Sequence, residues 1–501
     1  LSTAKKFAGQ TVIYGLSTIA GRVLSFFLTP VYTRAYSAKV YGIFGSMYAY
    51  ASMLNALLAF GMETTFFRYL NKKPENKDVV YNNSFGVILV MSVIFLLITF
   101  PLSNLITSWI QVDFNTPFAE YTMYTRYFIG ILVIDALCVV PFAKIRADGR
   151  PGRYGKIKLL NIIIFVGLNL TFIYVLPFIV LHNLPGKSII IPWFKHGWLG
   201  YVFLSNLIAS LVTLLMLLPE LIQLRPKFSK VLLAEMLVYS WPVLIANFSF
   251  LINENLDKIL LGKLLPVKES ATQVGIYVAC AKISIFLSIF VNAFRLGAEP
   301  FFFSHANNKN ASQNYARIMN YFVIAVCMIF VALVANIDLL KYFIKGKDVA
   351  QTTLYWSGLR VVPILLFGYV SLGIYMNLSV WYKLSDQTKY GLYISGVGAI
   401  LTIILNVIFI PSYGYMASAW ISLTAYATMM VLSYIWGQKN YPIPYNVKKN
   451  LAYIVTSIIL VILSFYIFNR NIFVGNALLV LFAGGALLME GKELKAIFIK
   501  R

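Results

Sequence analysis

Apolar runs long enough to cross a bilayer recur along the whole chain, separated by short polar connections. They are read at 7–33, 41–68, 81–106, 121–143, 157–181, 197–219, 231–262, 272–301, 315–340, 353–380, 390–411, 414–437, 450–468 and 471–489. A hydrocarbon core about 30 Å thick takes about 20 helical residues to cross. Backbone groups in lipid must find partners within each segment, and the strict alternation of a lipid-facing barrel strand is missing, so the spans are predicted to be helices. The pattern therefore predicts an all-α polytopic membrane protein of about 14 transmembrane helices.

Composition sharpens this reading. Of 501 residues 59% are hydrophobic and 12% charged, where a soluble domain carries roughly 25% charged residues. The longest connections, His182 to His196, Ser304–Asn314 and Gln438–Lys449, leave no room for a soluble domain. An enzyme that needs a large extramembrane active site is thereby disfavoured, and no enzymatic activity is expected. The start, LSTAKKFAGQ, leads straight into a full-length span, so no cleavable signal is expected. Cys138, Cys280 and Cys327 fall inside spans and are expected to be free thiols packed as small apolar residues. His182, His196 and His305 stand far apart at helix ends, so neither a metal site nor another cofactor is expected.

Lysine and arginine placement sets an orientation. With the N-terminus inside, inner segments hold 26 of the 42 basic residues and outer segments 10. A cytoplasmic excess is the usual bias, and both termini are expected in the cytoplasm. The net charge of +24 is spread over short loops rather than gathered in one patch, so no nucleic-acid partner is expected. A subset of these charges would favour anionic lipids or an anionic substrate.

An internal repeat is legible. Gly42-Ile43-Phe44 opens the second span and Gly275-Ile276-Tyr277 the eighth. Gly61-Met62-Glu63-Thr64-Thr65-Phe66-Phe67 is echoed by Gly297-Ala298-Glu299-Pro300-Phe301-Phe302-Phe303. Arg153-Tyr154-Gly155 matches Lys389-Tyr390-Gly391, and Leu168-Asn169 matches Leu405-Asn406. The offsets run from 233 to 237. Six spans separate the copies, so the halves share one orientation, as in parallel-repeat transporters. The expected organisation is an N-lobe at 1–225 (helices 1–6), a C-lobe at 226–440 (helices 7–12) and two C-terminal helices at 441–501.

A charge at the bilayer centre costs about 2.5–3.5 kcal/mol even on lenient scales, so those retained within spans draw notice. They are Arg22, Arg126, Lys258, Lys282, Arg295 and Arg360, with the acids Glu63, Asp135, Glu254, Asp257 and Glu299. At 100° per residue, Thr11, Gly15, Thr18, Arg22, Ser25 and Thr29 fall within about 80° of one another on span 1. Ser240, Asn247, Glu254 and Lys258 share a face of span 7, and Ser288, Asn292, Arg295 and Glu299 share one of span 8. Two readings stand beside each other: stripes lining a cavity between the lobes, or internal pairs that fix packing. Glu254–Lys258 and Arg295–Glu299 have the i,i+4 spacing of an ion pair, and Asp135 is the expected partner of Arg22. Arg126, Arg360 and Asp257 lie nearer outer helix ends, where snorkelling serves. Pro30, Pro141, Pro242 and Pro363 are expected to bend or end their helices.

These residues resemble a known family. Ala8-Gly9-Gln10-Thr11-Val12-Ile13-Tyr14-Gly15, Pro30-Val31-Tyr32-Thr33-Arg34, Tyr41-Gly42 and Gly61-Met62-Glu63 are similar to the first two helices of bacterial polysaccharide transporters. Phe294-Arg295-Leu296-Gly297-Ala298-Glu299-Pro300-Phe301-Phe302 is similar to their eighth. These are the Wzx-type lipid-linked oligosaccharide flippases of the multidrug/oligosaccharidyl-lipid/polysaccharide (MOP) exporter superfamily, to which the lipid II flippases are more distant relatives. The resemblance implies two six-helix lobes in a V around a central cavity. It also implies movement of an undecaprenyl-diphosphate-linked oligosaccharide from the cytoplasmic to the periplasmic leaflet by alternating access. Arginine binds phosphate oxygens through charge-assisted hydrogen bonds. Arg22, Arg295, Lys282, Lys258, Asn247 and Asn292 are accordingly the candidates for holding the anionic head group. Asp135, Glu254, Asp257, Glu63 and Glu299 are candidates for coupling to a proton or sodium ion, or for gating.

The expected setting is the bacterial inner membrane, with a monomer working beside glycan polymerases or glycosyltransferases. Two alternatives stand beside it. A cation-coupled drug or metabolite exporter of the same superfamily would favour an acid-dominated cavity, whereas the deepest charges here are largely basic. A membrane-embedded polysaccharide polymerase or ligase would need a substantial outer loop or clustered catalytic groups.

Overall fold

The computed structural model describes residue 23 and residues 26–72, 76–224, 227–304 and 310–499, the side chains of 300, 303, 304 and 492–499 excepted. The described residues form helices and short connections, with no strand among them. Among the described residues twelve helices are long and apolar enough to cross a membrane: Ala38–Lys72, Lys77–Thr99, Phe118–Ala147, Pro151–Leu181, Lys230–Leu264, Val267–Glu299, Ala311–Ala335, Val349–Leu384, Lys389–Tyr413, Tyr415–Asn440, Val447–Ile467 and Ile472–Gly491. These are predicted spans 2–5 and 7–14. Span 6 is the shorter apolar helix Gly200–Met216, at the lower limit for crossing. Most of span 1 lies outside the described residues; its end is the helix Thr29–Ala35, with Pro30 in the first turn, where a missing N–H costs nothing.

Proline interrupts neither the fourth nor the seventh span. Pro141 and Pro242 sit inside the helices Phe118–Ala147 and Lys230–Leu264, which continue through them. Neighbouring turns can re-satisfy the freed backbone groups in a membrane helix. Near Pro363 the tenth span does change, from the helix Val349–Ser357 through a 3₁₀ turn Gly358–Arg360 to Val361–Leu378.

The second span breaks without proline. Its first part ends at Ala59, Phe60 and Gly61 take left-handed angles (φ 47° and 65°), and a second helix runs Met62–Lys72. Glycine adopts that region without steric cost. A Cβ on Gly61 would come within 3.1 Å of the Ser240 carbonyl and 3.2 Å of Val243, so the break also brings the chain onto the seventh span. Its repeat counterpart Gly297 lies in the unbroken helix Val267–Ser304, with open space where a Cβ would stand. The two copies match in sequence but not in local backbone.

The chain divides between Gly275 and Ile276, inside the eighth span, into two compact units. The first has a core in which Met62, Phe66, Ile88, Ala136, Val140 and Met236 are buried together. Its polar anchors are specific. Asn82 Nδ2 donates to the Lys227 carbonyl at 3.2 Å and Asn83 Nδ2 to that of Ser229 at 3.0 Å, which fixes the connection into the seventh span. Glu220, with no exposed surface, takes Arg153 at 2.8 Å and Arg150 at 3.3 Å.

The second unit is built on the tenth span, the most deeply buried of all the candidate spans. Its helices include the C-terminal pair. Asn336 and Asn476 exchange amide hydrogen bonds, each 3.1 Å, and join the end of the ninth span to the fourteenth. At the other end of that pair Glu490 is buried, 2.6 Å from Lys449 Nζ and 2.9 Å from the Tyr453 hydroxyl. The three cysteines are buried and unbonded to one another.

Candidate functional site: a polar cavity and the charges within the spans

Residues of five spans of the first unit line a cavity of ≈ 510 Å³, the seventh span contributing Leu251. The polar residues of the fifth and sixth spans recur at three- and four-residue steps, the spacing that places side chains on one helix face. The fourth span supplies Asp135, Phe142 and Arg146, and the fifth Tyr154, Lys158 and Asn161. Asn206, Ser210 and Thr213 come from the sixth, and Ser52, Asn55 and Glu63 from the second.

Hydrogen bonds satisfy part of this wall. Asn161 Nδ2 donates to Thr213 Oγ1 at 2.9 Å, Asn206 Nδ2 to the Tyr48 hydroxyl at 3.0 Å, and Asn255 Nδ2 to Ser52 Oγ at 3.3 Å. Lys158 holds its ammonium 4.2 Å from the centre of the Phe142 ring, a cation–π arrangement. Arg146 bonds Glu63 through Nη2, while its Nε is buried with no hydrogen-bond partner among the described residues.

The other charges within the spans pair differently from their helical spacing. Glu254 does not pair with Lys258. The lysine Nζ contacts Asp257 Oδ1 at 2.9 Å and the Glu254 backbone carbonyl at 2.5 Å. The ammonium turns to the adjacent buried carboxylate, and Glu254, half-buried, has no ion pair among the described residues. Nor does Glu299 pair with Arg295; it bonds Lys383 instead. Asn292 Nδ2 donates to the Ser288 carbonyl at 2.8 Å, and Asn247 is exposed in the first unit.

Arg295 and Lys282 are half-buried in the second unit. Arg295 forms no ion pair among the described residues, and its Nε is buried without a partner. Beside it is a void of ≈ 10 Å³ walled by Phe294, Phe322 and Asn377, room for about one water molecule. Arg22 lies outside the described residues, and with it the expected Arg22–Asp135 pair. Of the other candidates, Asn247, Glu254, Asp257, Lys258, Asp135 and Glu63 belong to the first unit, and Lys282, Asn292, Arg295 and Glu299 to the second.

Sequence reading passed over Lys158, Asn161, Asn206 and the buried Glu220. The first three had a signal: Lys158–Asn161 and Asn206–Ser210–Thr213 are polar stripes at helical spacing inside apolar spans. Glu220 had none, because its burial depends on where the fourth-to-fifth connection places Arg150 and Arg153.

Comparison with known proteins gives the fold a setting. A family profile described as MatE matches residues 242–408. Among solved structures, the lipid II flippase MurJ in an inward closed conformation aligns with a TM-score of 0.73 at 12% identity, covering 96% of this chain and all of that one. An inward-facing multidrug resistance MATE family transporter of the MOP superfamily aligns at 0.62 and 14%, covering 86% of this chain and 94% of its own. A MOP superfamily transporter from Pyrococcus furiosus, described by the reversed polarity of its binding pocket, aligns at 0.57 and 16%, covering 86% and 95%. No curated protein matches in sequence. The chain has the fold of these membrane transporters, in a multi-pass arrangement.

Proposed function

We propose that this protein is a flippase that moves an undecaprenyl-diphosphate-linked oligosaccharide from the cytoplasmic to the periplasmic leaflet by alternating access. The observation that carries this reading is Arg295. It is a half-buried guanidinium within the eighth span, its Nε buried and unbonded, with no acid paired to it among the described residues. An unpaired charge in low dielectric is costly, and a diphosphate is the partner its fork of donors fits best. The void beside it admits no head group, so engagement belongs to a rearranged state of the transport cycle. A fold shared with a lipid II flippase over 96% of the chain supports the reading. In this account Lys282 and Asn292, in the same unit as Arg295, contribute polar contacts to the head group. The protein works as a monomer in the bacterial inner membrane, with both termini in the cytoplasm and glycan-assembling enzymes as neighbours. It performs transport, not catalysis.

Coupling to a proton or sodium gradient is part of the proposal. Asp257, Glu63 and Glu299 are already neutralised by Lys258, Arg146 and Lys383. Asp135 and Glu254 carry no ion pair among the described residues, which makes them the carboxylates for the coupling ion. The test is export of lipid-linked glycan by cells carrying Arg295→Ala, with membrane insertion followed in parallel. Loss of export with normal insertion is expected; normal export overturns the anion-binding role.

A second reading has one observation in its favour. The MatE profile match at 242–408 fits a cation-coupled drug or metabolite exporter of the same superfamily. Such a protein would confer resistance to cationic compounds when expressed in a sensitive strain, and a flippase would not.

A further inference from the structure

The cavity of the first unit carries chemistry that neither a head-group site nor a coupling ion uses up. Its charges balance: Glu63, bonded to Arg146, and Asp135 line the same ≈ 510 Å³ as Arg146 and Lys158. An anion entering it would meet two carboxylates, and a cation would meet a guanidinium and an ammonium. A neutral ligand rich in hydroxyls meets neither penalty. Each hydroxyl both donates and accepts, so it can serve the acids and the amide carbonyls as well as the ammonium and the amide N–H groups.

The hydrogen-bonding capacity for such a ligand is present. Among the described residues the Asn55 side chain has no hydrogen bond, Lys158 has no salt bridge, and Asn161 uses its amide nitrogen on Thr213 while its carbonyl oxygen stays unbonded. All three side chains are partly exposed, so these donors and acceptors are open to a ligand in the cavity. One wall supplies an apolar surface: the Phe142 and Tyr154 rings meet edge to face with centroids 5.2 Å apart. The volume lies within the range of small-molecule sites.

We infer that the first unit holds a carbohydrate subsite, in which a neutral pyranose ring is hydrogen-bonded by Asn55, Lys158 and Asn161 with Phe142 and Tyr154 beside it. The inference deepens the proposed function: it rests on that reading in taking the sugar to be one residue of the lipid-linked glycan, held apart from the diphosphate.

The experiment uses the purified full-length protein in detergent. Saturation-transfer NMR is recorded with free glucose, galactose, N-acetylglucosamine and N-acetylgalactosamine, and with glucuronate and inorganic pyrophosphate as charged probes. The subsite predicts saturation transfer to at least one neutral sugar. It also predicts at least a fivefold loss of that signal in Asn161→Ala and in Lys158→Met, with Asn55→Ala as a third variant should either of these fail to fold. No signal from any neutral sugar, or a signal unchanged in all folded variants, overturns it. So does a cavity that the same substitutions empty of pyrophosphate alone. Export of lipid-linked glycan is measured separately. An Asn161→Ala variant that neither binds sugar nor loses export overturns the subsite's place in transport and leaves the flippase reading standing. A wild-type protein that binds sugar, loses it in the variants and exports nothing supports the subsite and overturns the flippase reading.

Discussion

Gly42 and Gly275, which open the matching spans of the two sequence repeats, lie back to back. A Cβ on Gly42 would come within 1.7 Å of the Ala271 carbonyl oxygen and 3.1 Å of Gly275 N. On Gly275 it would fall 1.8 Å from the Ala38 carbonyl oxygen and 3.0 Å from Gly42 N. The contacts are reciprocal, so each glycine is where it is because the other helix's backbone occupies the space a side chain would need. Small residues permit such an approach between membrane helices, where dispersion and packing replace the hydrophobic effect.

Substitution at this contact should therefore be severe. The obstruction is backbone and cannot swing aside. Gly42→Ala and Gly275→Ala are each expected to destabilise by at least the ~1–3 kcal/mol typical of overpacking. Thermal unfolding in detergent, followed by size-exclusion fluorescence, reads this directly. Gly297→Ala, with open space around it, is the control expected to unfold at the wild-type temperature.

Glu220 anchors the connection between the fourth and fifth spans. Its carboxylate is wholly buried against Arg150 and Arg153. Glu220→Gln leaves Arg153 without its counter-charge and Arg150 with Asp148 alone; because both arginines are partly exposed, the expected loss is about 1.5–3 kcal/mol, that of a hydrogen bond to a charged group, rather than that of a fully buried pair. Expression and monodispersity should fall sharply, whereas Asp148→Asn, at the exposed Arg150–Asp148 pair, should change stability by about 1 kcal/mol or less.

The ion pairs Glu63–Arg146 and Glu299–Lys383 occupy matching places in the two repeats, the acids 236 residues apart and the bases 237. All four side chains are partly exposed, so each pair adds at most about 1 kcal/mol. Charge reversal at one member is expected to leave thermal stability nearly unchanged. A large drop in unfolding temperature for Lys383→Glu, restored by adding Glu299→Lys, would show that the pair contributes far more than its exposure allows.

Asp113 gives a pH dependence outside the spans. Burial raises the pKa of its carboxyl, but Lys39 at 2.7 Å, the Asn115 N–H and the Thr116 hydroxyl outweigh burial and hold it below the ordinary 3.8. A carboxylate with a lowered folded-state pKa contributes stability above its unfolded pKa and loses it as pH falls through the folded value. The wild-type unfolding temperature should thus fall on acidification below about pH 4. Asp113→Asn should begin a few degrees lower at neutral pH and show a shallower acid limb; equal slopes would remove Asp113 from the account.

Coupling can be read in proteoliposomes. Asp135→Asn and Glu254→Gln are each expected to reduce gradient-driven transport at least tenfold if they hold the coupling ion. Transport by the wild type that survives collapse of both the proton and the sodium gradient would dismiss coupling altogether.

Much of the architecture was legible in the chain, because lipid imposes a simple rule. A backbone in hydrocarbon must bond to itself, so every long apolar run becomes a helix, and all but one of the fourteen runs are found as helices among the described residues. The repeat, too, was visible in Gly42 and Gly275. The partners of the charges were not. Spacing along one helix offered Glu254 to Lys258 and Arg295 to Glu299, but a long flexible side chain takes whichever opposite charge stands nearest in space. That charge was Asp257 for Lys258 and, from another helix, Lys383 for Glu299. The same holds for the cavity: Lys158 and Asn161, Asn206, and Asp135 come from three different helices, and only packing turns their polar faces toward one another. The sequence alone determined that the chain is helical and where its apolar helices run. Which side chains meet was left to tertiary structure, because side-chain partnership depends on distances between helices that no periodicity within one of them encodes.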